Sequence, residues 1–516
     1  MKSIVVLFDE KNKYEDEKVF AGKSAKELCL KAAESFGFEV RTISGCTTIS
    51  ELLEELDKIC TESGAESVIF SYADCIFLNN SLTQSLLTTH FDYKAEYTFA
   101  EGYPESLAPG VLDKGTIAIL KELSKTTAKA TGDQKITRHS LMDIIKTDIN
   151  SFEVETVLAP VDWRLFRFAF DCRKKETFIA CQKLYEFSAP VMDALGLGTS
   201  DADVTDLCKY AENADEILKT VPAFYNLQLA QKCQGKCSYC PYPAELMKKE
   251  GINACEATKV MPFDNICNLI DQIAEFSAEA VVGLSAWGEC FNHPDLLKII
   301  EKILSYEGLS VFIEADGCSI PQNFAQEVAP IVNAAAERTN GWQKLMIAVS
   351  MDGFTAQTCA NLRGNDFSLE KSVEAVKALQ EVLPGCVYPQ FVRMNANEDE
   401  LESFFRYWNE KSNASGGNFI IQKHNSFAGL LKNEEPADLS PLDRNVCWHL
   451  RRDMTILCNG DVPVCYCRVL DDIAGNVFDE GIENVWKKLD VHLKDNKSKA
   501  YCEKCGGCDE FYTFNF

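Results

Sequence analysis

Tyr225-Asn226-Leu227-Gln228-Leu229-Ala230-Gln231-Lys232-Cys233-Gln234-Gly235-Lys236-Cys237-Ser238-Tyr239-Cys240-Pro241-Tyr242-Pro243 opens as a strand and closes as a cysteine loop. Cys233, Cys237 and Cys240 form a Cys-x3-Cys-x2-Cys triplet. Thiolates are the standard ligands of iron–sulfur clusters, and three of them on one loop can hold three corners of a cube. The nearby sequence offers no fourth ligand at matching spacing, so one iron would stay open to a small molecule. A zinc site would want four ligands and commonly uses paired Cys-x2-Cys. Gly235 permits the tight loop. Tyr239, between the second and third cysteine, must lie beside whatever the loop holds.

Outward from this loop the chain repeats strand then helix. Ala280–Ser285 leads into Trp287-Gly288-Glu289, and Leu309–Ile313, Leu345–Val349, Val387–Val392 and Phe419–Ile421 follow. Helical spacing is clearest over 295–305, 368–382 and 398–409. Six strands with intervening helices predict parallel βα units with right-handed crossovers. The expected architecture is a partial (β/α)6 barrel with its chemistry at the carboxyl ends of the strands.

The residues before 200 also read as α/β, with strands at Ile4–Phe8 and Ser67–Tyr72 and helices at 24–36 and 82–87. Residues 188–221 mix turn residues (Ala189-Pro190 and Gly196-Leu197-Gly198) with an acidic helix over 204–219. The expected domains are 1–200, a linker helix at 201–221, a core at 222–432 and a cysteine-rich tail at 433–516. A chain of 516 residues is too long for one ordinary core. The formal charge of −26 argues against a nucleic-acid partner, which would need clustered Lys and Arg. No run approaches about 20 apolar residues, so no membrane span is expected. The apolar start reaches Asp9 too soon for a secretory signal. Twenty-three cysteines without an export signal point to metal or redox chemistry in a reducing cytoplasm.

Seven of those cysteines crowd the tail: Cys447, Cys458, Cys465, Cys467, Cys502, Cys505 and Cys508. A short unit with few apolar runs usually needs a metal to fold. Scattered cysteines such as Cys29, Cys60 and Cys267 read as small buried hydrophobes.

The triplet with an aromatic before its last cysteine resembles the signature of the radical S-adenosylmethionine (SAM) superfamily. Trp287-Gly288-Glu289 stands where those enzymes carry Gly-Gly-Glu, with Trp replacing the first Gly. The resemblance implies that Gly288 and Glu289 receive the SAM amino group. Asp316-Gly317 stands for their Asn-Gly, and Ser350-Met351-Asp352-Gly353 resembles their Ser-x-Asp-Gly. It implies that Tyr239 packs near the adenine, that Ser350 contacts ribose or carboxylate, and that Arg363 or Arg393 pairs with the SAM carboxylate. The tail, Cys447-x12-Gly460-x4-Cys465 followed by Cys502-x2-Cys505-x2-Cys508, resembles the SPASM/twitch extension of radical SAM enzymes that mature peptides. This implies one auxiliary [4Fe-4S] cluster held by Cys447 and Cys465 with two of Cys502, Cys505 and Cys508. Cys458 and Cys467 are expected to be packing residues. The front resembles the GT-A-like fold of sugar-nucleotide transferases, with Phe20–Ser24 at a substrate-lysine loop and Asp74 at the metal-binding Asp. Their glycine-rich loop is replaced by Asp9-Glu10-Lys11-Asn12-Lys13, which predicts a degenerate domain. The combination is similar to the spiro-SPASM family.

These resemblances imply a radical SAM enzyme with a SAM-binding [4Fe-4S] cluster at Cys233, Cys237 and Cys240, the catalytic cysteines. It would cleave SAM reductively to a 5′-deoxyadenosyl radical and abstract hydrogen from a peptide or protein side chain, with flavodoxin or ferredoxin as reductant. An iron–sulfur electron carrier and a nucleotidyltransferase with a cluster-bearing regulatory half are the alternatives.

Overall fold

The computed structural model describes residues 2–126, 135–195 and 198–513. The chain forms two compact units, Met1–Thr220 and Val221–Phe516.

The first unit is built on β1 (Ser3–Asp9), β2 (Glu39–Ser44), β3 (Ser67–Tyr72), β4 (Tyr97–Glu101), β5 (Gly110–Asp113) and β6 (Val154–Leu158), in the order β2-β1-β3-β5-β4-β6. The β2-β1-β3 side is parallel, while β5 runs antiparallel to both neighbours. β1 and β3 are buried along their whole length, as apolar runs covered on both faces should be. Helices start where side chains supply the missing acceptor. Ser24 and Glu27 form a capping box before Ala25–Glu34, and Thr48 and Glu51 do so before Ile49–Ser63. This is an α/β front, as the sequence suggests.

Two local expectations change. The turn at Ala189-Pro190 is instead inside a helix, Lys175–Leu195, which runs through Pro190 at the loss of one backbone N–H. Gly196-Leu197 lies outside the described residues. The acidic helix breaks at Ala214, which is extended, into Val204–Asn213 and Asp215–Leu218.

The second unit holds β7 (Phe224–Leu227), β8 (Ala280–Gly283), β9 (Leu309–Ala315), β10 (Leu345–Ser350), β11 (Val387–Arg393), β12 (Ile420–Lys423) and β13 (Asp453–Ile456). These form one parallel sheet ordered β12-β11-β10-β9-β8-β7-β13. The six expected strands stand in sequence order, as successive right-handed βα units require, and curl into a half-barrel. The seventh comes from the tail: β13 pairs in parallel with β7, Ile456 beside Leu227. β14 (Asp461–Pro463) and β15 (Ile473–Asn476) form a separate antiparallel pair.

Alternation sorts the strand residues between two faces. Tyr225 faces the helices, its hydroxyl 2.7 Å from Ser277 at the end of Phe263–Phe276. Phe224, Val281, Phe312, Met346 and Ala348 pack together on the other face. One residue pair further along the same face stand Glu314, Ser350 and Gln390. The inside of the half-barrel thus has an apolar floor and a polar layer nearer the carboxyl ends.

Candidate active site

The triplet loop leaves β7 and is pinned by its neighbours. Cys233 N–H donates to Ala254 O (3.1 Å), Ser238 N–H to Leu362 O (2.8 Å) and Cys240 N–H to Cys237 O (3.2 Å). A Cβ on Gly235 would lie 3.4 Å from Cys233 Sγ and 3.5 Å from Cys237 Sγ. Glycine therefore leaves open the space between two thiols. Cys233 and Cys240 pack against an apolar cluster containing Tyr242, Leu246 and Trp287. Burial pushes the Cys233 and Cys240 thiols up to about 12 and raises Cys237 as well. Uncompensated thiolates are disfavoured there, so a bound metal must drive their protons off.

After β8, Gly288 is forced by two constraints. Its φ is +84°, and a Cβ would fall 1.9 Å from Ala230 O, just ahead of the triplet. Glu289 N–H donates to Lys232 O at 2.8 Å, which fixes the carboxylate beside the cysteine loop. That carboxylate is buried and accepts from Phe291 N–H at 3.3 Å. Burial, with Asp316 nearby, holds it up at about 8. A buried carboxyl in this state is ready for a cation.

After β10, Asp352 is fully buried and accepts from Val392 N–H at 2.7 Å and Arg363 Nη1 at 2.5 Å. The Tyr239 hydroxyl donates to the same carboxylate and accepts from Arg363 Nη1 at 2.6 Å. The loop tyrosine, the strand-end aspartate and Arg363 therefore form one network. Arg363 Nε is buried and has no hydrogen-bond partner. Arg393 differs: its Nε and Nη2 grip Glu398 at 2.7 and 2.5 Å, with the side chain part-exposed. Ser350 Oγ donates to Glu314 Oε1 at 3.2 Å, and Gln390 Nε2 reaches the same oxygen at 2.7 Å.

In the tail, Cys447, Cys465, Cys467, Cys505 and Cys508 line one cavity with His449 and Tyr466. Cys502 is not among that lining. It is exposed, and Arg468 Nη2 stands 2.9 Å from its sulfur. Cys458 is buried and its N–H donates to Gln228 Oε1 at 3.1 Å. Cys467, expected as a packing residue, is buried and also faces the cavity. A short 3-10 turn over Tyr466–Arg468 brings Cys467 back beside Cys465, and no periodicity in the sequence marks it. The Cys467 thiol, with His449 and Arg468 nearby, holds Cys465 down to about 7.

Other members carried no sequence signal. Trp287 stacks on Tyr466 with ring centroids 4.3 Å apart and planes within 2°, so the tail's cysteine strip touches the barrel's second loop. Lys423 Nζ sits among Glu435 (2.8 Å), Asp509 (3.1 Å) and Glu510 (2.5 Å), tying the residues after Cys508 to β12. Among the described residues no three His, Cys, Asp or Glu side chains gather closely enough for a single metal ion. A multi-iron cluster has a different need, since its ligands attach to different irons.

In the first unit Asp74 follows β3 and is buried. Arg138 Nη2 donates to both its oxygens at 2.8 Å and to Glu10 Oε2 at 2.7 Å. Lys23 is exposed on a tight turn closed by reciprocal Phe20 and Lys23 backbone bonds of 3.1 and 3.0 Å.

Residues 447–509 match the SPASM family, an iron-sulfur cluster-binding domain. An uncharacterized protein of Treponema pallidum (strain Nichols) is 34% identical over 385 residues, 73% of this chain and 98% of that protein. A second one from the same organism is 32% identical over 82 residues, 15% of this chain and 37% of its own length. Among solved structures, Streptococcus suis SuiB bound to precursor peptide SuiA is 13% identical, covering 67% of this chain and 86% of that one at a TM-score of 0.41. BtrN in complex with AdoMet and 2-DOIA is 12% identical, covering 56% and 94% at 0.36. A cytidylyltransferase of Leptospira borgpetersenii is 10% identical, covering 42% and 96% at 0.33. At TM-scores below 0.5 these structures add nothing to what the fold itself says.

A parallel half-barrel with a Cys-x3-Cys-x2-Cys loop after its first strand, followed by a SPASM domain, defines a radical SAM protein with a SPASM extension. Within that class, the chain belongs to the family of the 385-residue-matching Treponema pallidum protein.

Proposed function

We propose that the protein is a radical SAM enzyme whose cluster is held by Cys233, Cys237 and Cys240. The observation that carries this reading is the juxtaposition of three converging elements beyond the strand ends. These are a cysteine loop opened by Gly235, a buried carboxylate at Glu289 without a basic side chain bonded to it, and a buried guanidinium at Arg363 with one free N–H. With SAM bound, a cube at the triplet supplies one-electron cleavage of the carbon–sulfur bond and a 5′-deoxyadenosyl radical. The chain's own residues bind and orient. Glu289 receives the ammonium of SAM, and Arg363 Nε takes its carboxylate while Asp352 and Tyr239 hold the guanidinium in place. Arg393 is committed to Glu398 and is left out of this assignment. Ser350, with Glu314 and Gln390, offers polar groups at the ribose side. The apolar floor beneath excludes water from the reacting region.

The tail cavity supports an auxiliary cluster with Cys447, Cys465, Cys505 and Cys508 as ligands, and Cys467 within reach. Cys502 stands outside. The SPASM-like tail supports hydrogen abstraction from a peptide or protein side chain, with flavodoxin or ferredoxin supplying electrons in the cytoplasm. Anaerobic reconstitution with iron, sulfide, SAM and dithionite tests the core of this: wild type makes 5′-deoxyadenosine and Cys237→Ala does not. No product from wild type, or undiminished product from the variant, overturns it.

A further inference from the structure

The GT-A-like resemblance of the first unit implies a divalent cation at Asp74 and a nucleotide phosphate at the loop after β1. The residues present do not fit either. The Asp74 carboxylate accepts from Arg138 Nη2 at 2.8 Å on both oxygens and from Asn12 Nδ2 at 3.0 Å. The same Nη2 reaches Glu10 Oε2 at 2.7 Å, and Nη1 lies 3.6 Å from Cys75 Sγ. The guanidinium carbon sits 3.8 Å from the centre of the Tyr72 ring, so one flat cation is bound by two carboxylates and an aromatic face. Its side chain is 7% exposed. Arg138 Nε is buried without a partner, so the group is kept for its charge and not for a full set of bonds.

The loop after β1 has likewise turned its polar groups inward. Lys11 N–H donates to Asp9 Oδ1 at 2.9 Å, and Tyr14 and Glu15 N–H both donate to Asn12 Oδ1, at 2.9 and 3.0 Å. Backbone N–H groups that could cradle a phosphate are thus spent on the loop's own side chains. The other nearby carboxylate, Asp171, accepts from Ser106 and Thr177 hydroxyls, each at 3.1 Å.

We propose that the Arg138 guanidinium is the resident cation of this acidic site, so the unit binds no divalent cation or nucleoside triphosphate through it, and that removing the guanidinium uncovers a cation site. The test uses the full chain with its clusters loaded and oxidised, and follows free Mn²⁺ by electron paramagnetic resonance. Wild type and Asp74→Asn should deplete Mn²⁺ equally, with or without each of the four nucleoside triphosphates. Arg138→Ala should take up one further Mn²⁺, lost again when Asp74→Asn is added. Its Tm should fall by roughly 5–15 °C and recover with millimolar guanidinium chloride, which leaves wild type unchanged. Arg138→Lys keeps a cation in place and should fold without binding Mn²⁺. The proposal is overturned by one Mn²⁺ in wild type that Asp74→Asn abolishes, or by a folded Arg138→Ala that neither gains Mn²⁺ nor responds to guanidinium. If Arg138→Ala does not fold, the wild-type comparison and Arg138→Lys decide: Mn²⁺ uptake by Arg138→Lys would likewise count against it.

Discussion

Beyond β3, Asp74 meets a guanidinium at 2.8 Å, whereas beyond β8 the buried Glu289 meets the N–H of Phe291 and the thiol of Cys290. Both carboxylates follow a parallel strand, where α/β folds place functional groups. Both are removed from water, which makes an unpaired charge costly. The first unit meets that cost from within the chain. The second leaves the carboxylate without a cation, with Glu289 held up at about 8; a buried, unbonded Nε is common to Arg138 and Arg363 and does not separate the regions. Position at a strand end therefore does not identify a working site. What separates the two regions is whether the fold already gives the carboxylate its cation.

The sharpest way to break that comparison is to remove donors from each region. Cys240→Ala should abolish 5′-deoxyadenosine formation, while Asp74→Asn should leave it near the wild-type rate. In the tail, Cys447→Ala and Cys508→Ala should each lose the auxiliary cluster, and Cys502→Ala should keep it. Iron content and electron paramagnetic resonance of the reduced proteins read this out. Cluster loss in Cys502→Ala with retention in Cys508→Ala would reverse the ligand assignment.

Next in size is the contrast between two arginines. Removing a charge-assisted hydrogen bond costs about 1.5–3 kcal/mol, so Arg363→Gln should weaken SAM binding roughly 10- to 100-fold. Arg393→Gln touches an exposed pair with Glu398 and should change it less than about 3-fold. Calorimetric titration of the reconstituted protein with SAM compares them. Equal losses would show that the unspent Nε is not what SAM uses.

Gly288→Ala sharpens the geometry behind Glu289. A Cβ at φ +84° and 1.9 Å from Ala230 O must displace the strand end that launches the triplet. Strain of this kind costs about 2–4 kcal/mol. Urea denaturation should show the loss, and the variant should hold less iron at the triplet. Gly22→Ala makes a useful control, because a Cβ there meets nothing within 4 Å despite a φ of +81°. Comparable losses in both would assign the effect to backbone conformation alone.

Much of this molecule was legible in local pattern. The six expected barrel strands are four to seven residues long and mostly apolar, with Ile420–Lys423 half polar, and the triplet's spacing carries its own chemistry. What escaped is non-local. β13 is a four-residue segment whose partner, β7, lies more than 220 residues earlier, and nothing in Asp453–Ile456 specifies that pairing. Arg138 meets Asp74 only because two loops converge on one strand end. Trp287 replaces a glycine for a reason that appears only when Tyr466 is seen stacked on it. Glu314 and Gln390 could have been found, since alternation from Phe312 and Tyr388 puts them on the inner face.

The smallest effect tests whether the first unit is as self-contained near Lys26, whose Nζ lies 2.5 Å from Asp9 Oδ2 and 3.9 Å from Glu15 Oε1, as it is at Arg138. Glu15 is buried, with Oε2 unpartnered, and burial together with the neighbouring Asp9 pushes its carboxyl up to about 8. A folded pKa raised above the ordinary glutamate value of 4.5 contributes stability that is complete below about pH 4.5 and is lost as pH rises through 8. Glu15→Gln cannot ionise and keeps the amide hydrogen available to Asp9. Wild type and variant should therefore match near pH 4.5 and diverge upward, the variant being more stable by about 1–2 kcal/mol at pH 8.5. Urea denaturation at pH 4.5, 7 and 8.5 measures the divergence. A difference that is constant across this range would mean that Glu15 ionises without penalty, and that this corner of the first unit takes its counter-charge from solvent instead of from Lys26.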